Sequence, residues 1–348
     1  MRIEETIYRR ENLKKYNKYF SFLEKTNENY NLVETLPDHV AHEYFKDEEV
    51  LLKEISEIDN EYSFIERIKS YETLNKSLSN AKIDLFAYKI FYNKEENSTT
   101  KSTLKSFKPF QGLSSNITYN FCGNVTGRLV VKKGPRILTL PKKYRSLIES
   151  SFIGGKIISA DFSSLEPRLC LKLTGKDTSS DLYEEINSIL NLNLNRSVIK
   201  KAIISVLYGS HFSSLEEISR KKAEILFNCI KEYFKLGKIL EISKNIDNHG
   251  IRRNYLGRPL WNLEEKRENI LINNYVQSSA VDISLTYFTR LINKVDCLKA
   301  KPLFILHDAI IFDVSKEYES CFKEIISQGY SHEKLGMFPL KTEIFNSK

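Results

Sequence analysis

Two aspartates in the sequence lie beside apolar runs that have the character of buried strands. Asp161 follows Ile157-Ile158-Ser159-Ala160, and Asp308 lies at the centre of Leu303–Val314, between two apolar runs. An acid beside a buried strand is costly unless it is paired or binds a metal ion. Two such acids on neighbouring strands could bind two Mg²⁺ ions about 3.5–4 Å apart, an arrangement that promotes phosphoryl transfer. Taken singly, each acid is more often a strand-end residue that faces water.

A segment between the two acids carries cations at helical spacing. Steps of four residues place one stripe on a predicted helix, formed by Arg196, Lys200, Ile204 and Tyr208. The two cations occupy the first turns, where free backbone N–H groups and the helix dipole also favour an anion. The stripe therefore predicts a triphosphate site with an aromatic residue at its far end. The alternatives are an amphipathic helix whose basic start faces solvent, and a register in which Lys201 supplies the second cation.

The elements that must position these residues follow from the apolar periodicity. Lys156–Phe162 has the pattern of a strand, and Leu303–Val314 consists of two β-type runs with a polar His-Asp-Ala centre, which predicts a hairpin. Helical spacing covers most of the first hundred residues, then 181–244 and about 265–291. The two acids are thus placed on strands and the two cations on a helix.

Composition narrows the class of protein. The formal charge of +8 over 348 residues permits a polyanionic partner without requiring one. The five cysteines are an odd number and never form a CxxC pair, which argues against a disulfide framework or a zinc site. No run approaches the roughly 20 apolar residues of a membrane span, and the N-terminus lacks the apolar core of a signal peptide. We therefore expect a soluble intracellular protein with no membrane partner.

Six short blocks resemble motifs of the family A (DNA polymerase I-like) DNA polymerases, in the family's order. Asp161–Arg168 is similar to the first palm motif DYSxxELR, Arg196–Gly209 to the fingers motif RxxxKxxxFxxxYG, and His307-Asp308-Ala309 to the second palm motif HDE. The other three blocks are similar to the TGRL segment, the GRR turn and the NxxxQGTAAD helix: Thr126–Leu129, Gly257-Arg258 and Asn273–Asp282. Each block alone is weak, but together they span most of the chain.

The resemblance implies a role for each matched residue. Asp161 and Asp308 would bind two Mg²⁺ ions, for which Mn²⁺ could substitute. Arg196 and Lys200 would bind the incoming triphosphate, and Lys200 would also protonate the pyrophosphate leaving group. The other implied nucleotide contacts are Ile204, Tyr208 over the templating position, and Glu166 as the steric gate against a ribose 2′-OH. The implied contacts to primer–template DNA are Arg128, Arg168, Asn273, Gln277 and His307.

The resemblance also implies the α+β right-hand polymerase fold, with an antiparallel palm sheet and helical fingers and thumb. The expected regions are a thumb-like helical region at 1–115, a first palm segment at 116–180, fingers at 181–266 and a second palm segment at 267–348. The implied activity is template-directed addition of dNTPs to a primer 3′-OH in DNA replication. About 120 residues precede the TGRL block, too few for a proofreading exonuclease domain. A separate exonuclease or processivity factor is therefore a possible partner, and the expected location is the cytoplasm, that of a bacterial host if the gene is from a phage.

Four positions depart from the family pattern. Ala309 replaces the acid of the second palm motif, Ile204 replaces the fingers aromatic, Glu149 stands where Arg is common, and Tyr183 stands near a position that often carries His. None removes an implied metal ligand, so we expect activity to persist with altered nucleotide affinity, fidelity or rate.

Two other functions are compatible with some of these motif residues. A single-subunit RNA polymerase shares the fold and the aspartates, but Glu166 and Gln277 argue for deoxynucleotides. A catalytically weak, polymerase-shaped protein that holds primer–template is favoured by Ala309 and Ile204. It is opposed by the intact aspartates and by the two cations of the fingers stripe.

Overall fold

The computed structural model describes residues 37–40, 42–43, 46, 59–177, 181–190, 194–210, 215, 218–247, 250–260 and 265–347. The helical periodicity expected before residue 59 lies almost wholly outside these ranges. Within the described ranges, none of the helices is long and apolar enough to cross a membrane.

Helices and short strands alternate along the chain. The helices are α1 (Asp59–Lys76), α2 (Leu85–Lys94), α3 (Ser98–Lys105), α4 (Leu165–Leu173), α5 (Leu182–Leu190), α6 (Arg196–Leu207), α7 (Arg220–Tyr233), α8 (Leu236–Lys244), α9 (Glu268–Ile292) and α10 (Glu319–Ser327). The strands are β1 (Lys82–Ile83), β2 (Thr118–Asn120), β3 (Val130–Lys133), β4 (Ile148–Glu149), β5 (Lys156–Phe162), β6 (Arg252–Arg253), β7 (Pro259–Leu260), β8 (Ala300–Leu306), β9 (Ala309–Val314), β10 (Tyr330–His332), β11 (Gly336–Phe338) and β12 (Leu340–Ile344). The predicted strand at Lys156–Phe162 and the predicted hairpin are confirmed by β5 and by β8–β9.

A four-stranded antiparallel sheet in the order β12-β5-β9-β8 forms the centre of the described chain. One of its faces is covered by helices. Phe162 contacts the rings of Tyr287 and Phe288 on α9, and Phe312 packs 5.0 Å from Phe322 on α10. Because side chains alternate along a strand, Asp161 points to the opposite face. The alternation therefore places Asp161 on the face away from α9 and α10.

The long helix α9 is buried on nearly every side and carries a buried ion pair. Asp282 is fully buried and binds the guanidinium of Arg258 at 2.6 and 2.9 Å. Asn254 donates to the same carboxylate at 2.8 Å, and the hydroxyl of Tyr71 on α1 donates to the backbone carbonyl of Asp282 at 3.1 Å. Because every charge has several partners, the pair joins α1, α9 and the β6–β7 hairpin without an uncompensated charge.

The same Arg258 fixes the loop that precedes β3. Its Nη1 donates to the carbonyl of Phe121 at 2.9 Å. Gly127 has a φ of +66°, and a Cβ built on it would lie 2.6 Å from the guanidinium carbon of Arg258. Glycine is therefore required at 127 both for the left-handed backbone and for the close approach of Arg258. Gly127 thus fixes the backbone directly before Arg128.

Candidate active site

The two aspartates lie side by side at one end of the central sheet. Asp161 is the penultimate residue of β5, and Asp308 lies in the two-residue turn between β8 and β9. Asp161 pairs across the strands with Ala309, and the N–H of Phe162 donates to the carbonyl of Asp308 at 3.1 Å. The turn is held in an uncommon conformation, since His307 has a left-handed φ of 52°. Strand pairing and turn geometry together bring the two carboxylates to one place.

The electrostatics of this pair favour a bound cation. Burial raises the pKa of Asp161 to about 6, and the nearby charge of Asp308 acts in the same direction. Burial also raises the pKa of Asp308. Two partly buried carboxylates that repel each other supply the hard oxygen donors that Mg²⁺ prefers.

The donor set at this site contains two carboxylates. Among the described residues no group of three or more His, Cys, Asp and Glu side chains could hold a metal ion. Mg²⁺ is commonly bound by one or two carboxylates, with water and substrate phosphates completing its octahedron. Asp161 and Asp308 therefore fit a hard divalent cation such as Mg²⁺.

One cleft of about 470 Å³ joins the aspartates to the cation stripe of α6. Its lining includes all the implied catalytic and nucleotide-binding residues: Asp161, Asp308, Glu166, Arg196, Lys200, Ile204 and Tyr208. Arg128 and His307 also line it, together with Tyr183 and Lys341. A second cavity of about 580 Å³ between α1 and β2 is larger but contains neither aspartate. The site is thus identified by its chemistry rather than by its size.

The stripe on α6 faces the cleft. Arg196, Lys200 and Ile204 are exposed, and Ile204 retains 38% of its surface. The guanidinium of Arg196 donates to Asp181 at 3.1 and 3.2 Å and lies 4.8 Å from the centre of the Tyr183 ring. Any anion that binds Arg196 must therefore displace Asp181 from the guanidinium or share the guanidinium with it.

Tyr208, the residue after α6, links this helix to α4, α9 and the loop before β3 through a hydrogen-bonded cluster. Its hydroxyl donates to Glu166 Oε2 at 2.5 Å. The same hydroxyl accepts hydrogen bonds from Arg128 Nη2 at 3.0 Å and from Gln277 Nε2 at 3.5 Å. Arg128 also lies 3.7 Å from the other oxygen of Glu166. Burial raises the pKa of Tyr208 to about 12, and the charge of Glu166 adds to this shift. Tyr208 is therefore a neutral donor that orients Glu166.

Backbone geometry aims Glu166 at this cluster. The chain leaves β5 after Phe162, and Ser164 adopts a left-handed φ of 57° immediately before α4 begins. Glu166 then lies in the first turn of α4, where a carboxylate is also favoured by the helix dipole.

The residues implied as DNA contacts differ in burial and in whether they line the cleft. His307 lines the cleft, where burial, together with the nearby charge of Arg128, lowers its pKa. Gln277 is buried but reaches Tyr208 from α9, while Asn273 is half-buried on α9 outside the cleft lining. Arg168, the last of the implied DNA contacts, is buried in this structure. Its side chain is 3% exposed and its Nε donates to the carbonyl of Ser163 at 2.9 Å, so it supports the β5–α4 turn.

Lys341 is a residue of the cleft that the sequence did not reveal. Its Nζ lies 3.5 Å from Asp161 Oδ2 and 2.8 Å from Glu343 Oε1. A lysine in the short run Leu340–Ile344 belongs to no recognised motif. Lys341 could have been found only by knowing that β12 pairs with β5. The apolar periodicity of a single strand does not show which strand lies beside it.

Comparisons with known proteins match this chain to DNA polymerases. The model of the family "DNA polymerase family A" matches residues 21–347. DNA polymerase I of Caldicellulosiruptor bescii is 24% identical over 288 residues, which are 73% of this chain and 34% of that protein. DNA polymerase theta of Caenorhabditis elegans is 23% identical over 235 residues, which are 58% of this chain and 14% of that protein. The chain therefore spans about a third or less of these curated relatives.

A solved structure extends the likeness to three dimensions. The POL domain of Pol1 from M. smegmatis, in complex with DNA primer-template and dNTP, superposes with a TM-score of 0.56 at 18% identity. The match covers 74% of this chain and 55% of that one. The fold is accordingly the α+β right-hand polymerase fold. With its cleft, its fold and a family match over nearly its whole length, the chain belongs to DNA polymerase family A.

Proposed function

We propose that this chain is a template-directed DNA polymerase that adds dNTPs to a primer 3′-OH during DNA replication. The observation that carries the proposal is the single cleft that places Asp161 and Asp308 opposite the cation stripe of α6. Family membership supports the same activity. The primer-template and dNTP in the M. smegmatis complex support the same partners.

The chain's own residues bind the nucleotide, orient the reacting groups and exclude the ribose 2′-OH. Bound at Asp161 and Asp308, divalent ions would neutralise charge on the transferred phosphate and activate the attacking 3′-oxygen. Arg196 and Lys200 bind the triphosphate, and the Nζ of Lys200 gives its proton to the departing pyrophosphate. In such transfer, the protein contributes mainly positioning and charge stabilisation.

The sugar and the base are selected at the other end of the cleft. Glu166, held by Tyr208, fills the space that a ribose 2′-OH would need. Ile204 forms the apolar wall beside the incoming nucleotide. Arg128, Gln277 and Asn273 contact the primer–template, and His307 contacts the primer end.

We also propose the division into regions given by the family motifs. Residues 1–115 are thumb-like, 116–180 and 267–348 form the palm, and 181–266 form the fingers. The four-stranded sheet draws β5 from the first palm segment and β8, β9 and β12 from the second, which supports this division. Within the thumb-like region, residues 1–36, 41, 44–45 and 47–58 lie outside the described ranges.

Primer extension tests the activity directly. Purified protein with Mg²⁺ is expected to extend a labelled primer, and Asp161→Ala and Asp308→Ala are each expected to abolish extension while primer–template binding persists. Lys156→Met, a change at the other end of β5, serves as the control for non-specific damage. If either aspartate variant retains substantial extension, the two-metal assignment fails.

Two further comparisons separate the alternatives. A preference for dNTPs over rNTPs in the same assay excludes an RNA polymerase. Tight primer–template binding without any extension by the wild type would favour a polymerase-shaped binding protein, which Ala309 and Ile204 make the second candidate.

We propose in addition that this chain does not remove mismatched nucleotides. The residues that line the cleft match the family motifs for nucleotide addition, which supports polymerisation as the chemistry of this site. A primer with a mismatched 3′ end should therefore stay intact when incubated with the protein and Mg²⁺. Release of the terminal nucleotide by a nuclease activity that a substitution in this chain abolishes would refute the proposal. If the mismatched terminus stays intact, a separate exonuclease becomes a natural partner.

A further inference from the structure

Lys341 lies in the same row of the sheet as the catalytic aspartate. Lys341 on β12 pairs directly with Asp161 on β5, and Asp161 pairs directly with Ala309 on β9. Directly opposed residues of antiparallel strands project to the same face. The cleft face of the sheet therefore carries a cation, an acid and a small apolar residue in one line across three strands.

The ammonium of Lys341 stands between two carboxylates. Its Nζ lies 3.5 Å from Asp161 Oδ2 and 2.8 Å from Glu343 Oε1. Glu343 is 62% exposed, whereas Asp161 is 26% exposed. Lys341 can therefore give up its contact with the buried acid and still keep an ion pair with the exposed one.

A divalent ion at Asp161 must approach the carboxylate that Lys341 already contacts. Two cations at one carboxylate repel each other, and the repulsion is stronger in a partly buried cleft than in water. Metal loading is then favoured when the ammonium moves to Glu343, away from the aspartates. The small side chain of Ala309 leaves Lys341 as the charged neighbour of Asp161 in this row.

We propose that Lys341 is a positioning residue that compensates Asp161 in the metal-free protein and competes with a divalent cation for that carboxylate. The inference rests on the proposed function because it takes Asp161 as a metal ligand. Lys341 thereby sets how tightly the cleft binds metal before DNA and nucleotide arrive.

Metal affinity without turnover tests this role. Binding of Mn²⁺ to the purified chain, without DNA or nucleotide, is measured from the electron paramagnetic resonance signal of the free ion. Lys341→Met should bind Mn²⁺ about two- to fivefold more tightly, the factor expected from removing one ion-pair partner at a half-exposed position. Lys341→Arg, which keeps the charge, should stay close to wild type.

Lys156 provides a matched control. It is also 48% exposed, lies on β5, and pairs with a carboxylate, Glu319, at 2.9 Å. Lys156→Met removes the same charge from the same sheet without touching the aspartates, so Mn²⁺ affinity should not change. Circular dichroism of each variant establishes that the fold is retained.

The outcomes are distinct. Unchanged or weaker Mn²⁺ binding by folded Lys341→Met overturns the proposal, as does an equal gain in Lys156→Met. If Asp161→Asn fails to weaken Mn²⁺ binding, the metal assignment itself is wrong and the inference falls with it. If Asp161→Asn weakens binding but Lys341→Met does not strengthen it, only the role of Lys341 is lost. Glu343→Gln should weaken Mn²⁺ binding, because it removes the alternative partner of the ammonium, and unchanged binding by this variant would also count against the proposal.

Discussion

Truncation of Glu166 to alanine tests sugar selection most sharply. The side chain is 24% exposed and is held by Tyr208 at 2.5 Å and by Arg128 at 3.7 Å. Forcing an extra group into a filled site typically costs about 1–3 kcal/mol. Relief of that cost should raise the use of rNTPs relative to dNTPs about 5- to 150-fold.

The same truncation removes the acceptor of a charge-assisted hydrogen bond. Such bonds contribute about 1.5–3 kcal/mol, and Tyr208 and Arg128 both lose their partner. The efficiency of dNTP incorporation by Glu166→Ala should therefore fall by roughly tenfold or more. The assay is single-turnover incorporation of one matched dNTP or rNTP into a primer–template, with kcat/KM determined for each.

Glu166→Gln separates volume from charge. Glutamine keeps nearly the same volume and an acceptor for the Tyr208 hydroxyl but removes the charge beside Arg128. Sugar selectivity should stay within about twofold of wild type while dNTP efficiency falls. If Glu166→Ala leaves selectivity unchanged, or if Glu166→Gln relaxes it equally, steric exclusion by this side chain is refuted.

Three further outcomes are expected. The pKa of Asp161 is raised to about 6 in the folded protein, so the folded state holds this proton more tightly than the unfolded state. The resulting contribution to the free energy of unfolding is fully present below the unfolded pKa and is lost as the pH rises through the folded pKa. Asp161→Asn should therefore raise the free energy of unfolding in EDTA by about 1–3 kcal/mol near pH 8 and give no gain near pH 4, as measured by urea denaturation. Ile204→Phe should tighten dNTP binding about two- to tenfold in single-turnover titrations, since an aromatic ring packs better on the nucleotide; weaker binding would mean that Ile204 is a co-adapted packing residue. Arg258→Ala should cost about 3–5 kcal/mol in urea denaturation, because Asp282 is left buried without its counterion, and a loss below about 1 kcal/mol would contradict that account.

The elements that carry the chemistry were predictable from the sequence because they follow local rules. The apolar run before Asp161 and the polar centre of the β8–β9 hairpin mark strands and a turn, and the fourfold spacing after Arg196 marks a helix. Motif order then linked the strands and the helix to one family. These features depend on neighbours within a few residues, which the sequence displays directly.

What the sequence did not reveal depends on contacts between distant segments. Arg168 matches a motif, yet its guanidinium is buried against the carbonyl of Ser163, a direction that spacing does not determine. Lys341 enters the cleft because β12 pairs with β5, and Asp181 reaches Arg196 across the start of α6. Strand order and side-chain direction are properties of the assembled fold.

The buried pair of Arg258 and Asp282 has a consequence for how the chain assembles. Arg258 meets Asp282 24 residues later and the carbonyl of Phe121 137 residues earlier, while Tyr71 meets Asp282 across 211 residues. Contacts so far apart in sequence form slowly because long loops must close first. During synthesis, α1 cannot complete its packing until α9 has been made. We therefore expect this junction to be among the last regions to consolidate, and α1 to acquire amide protection late in refolding.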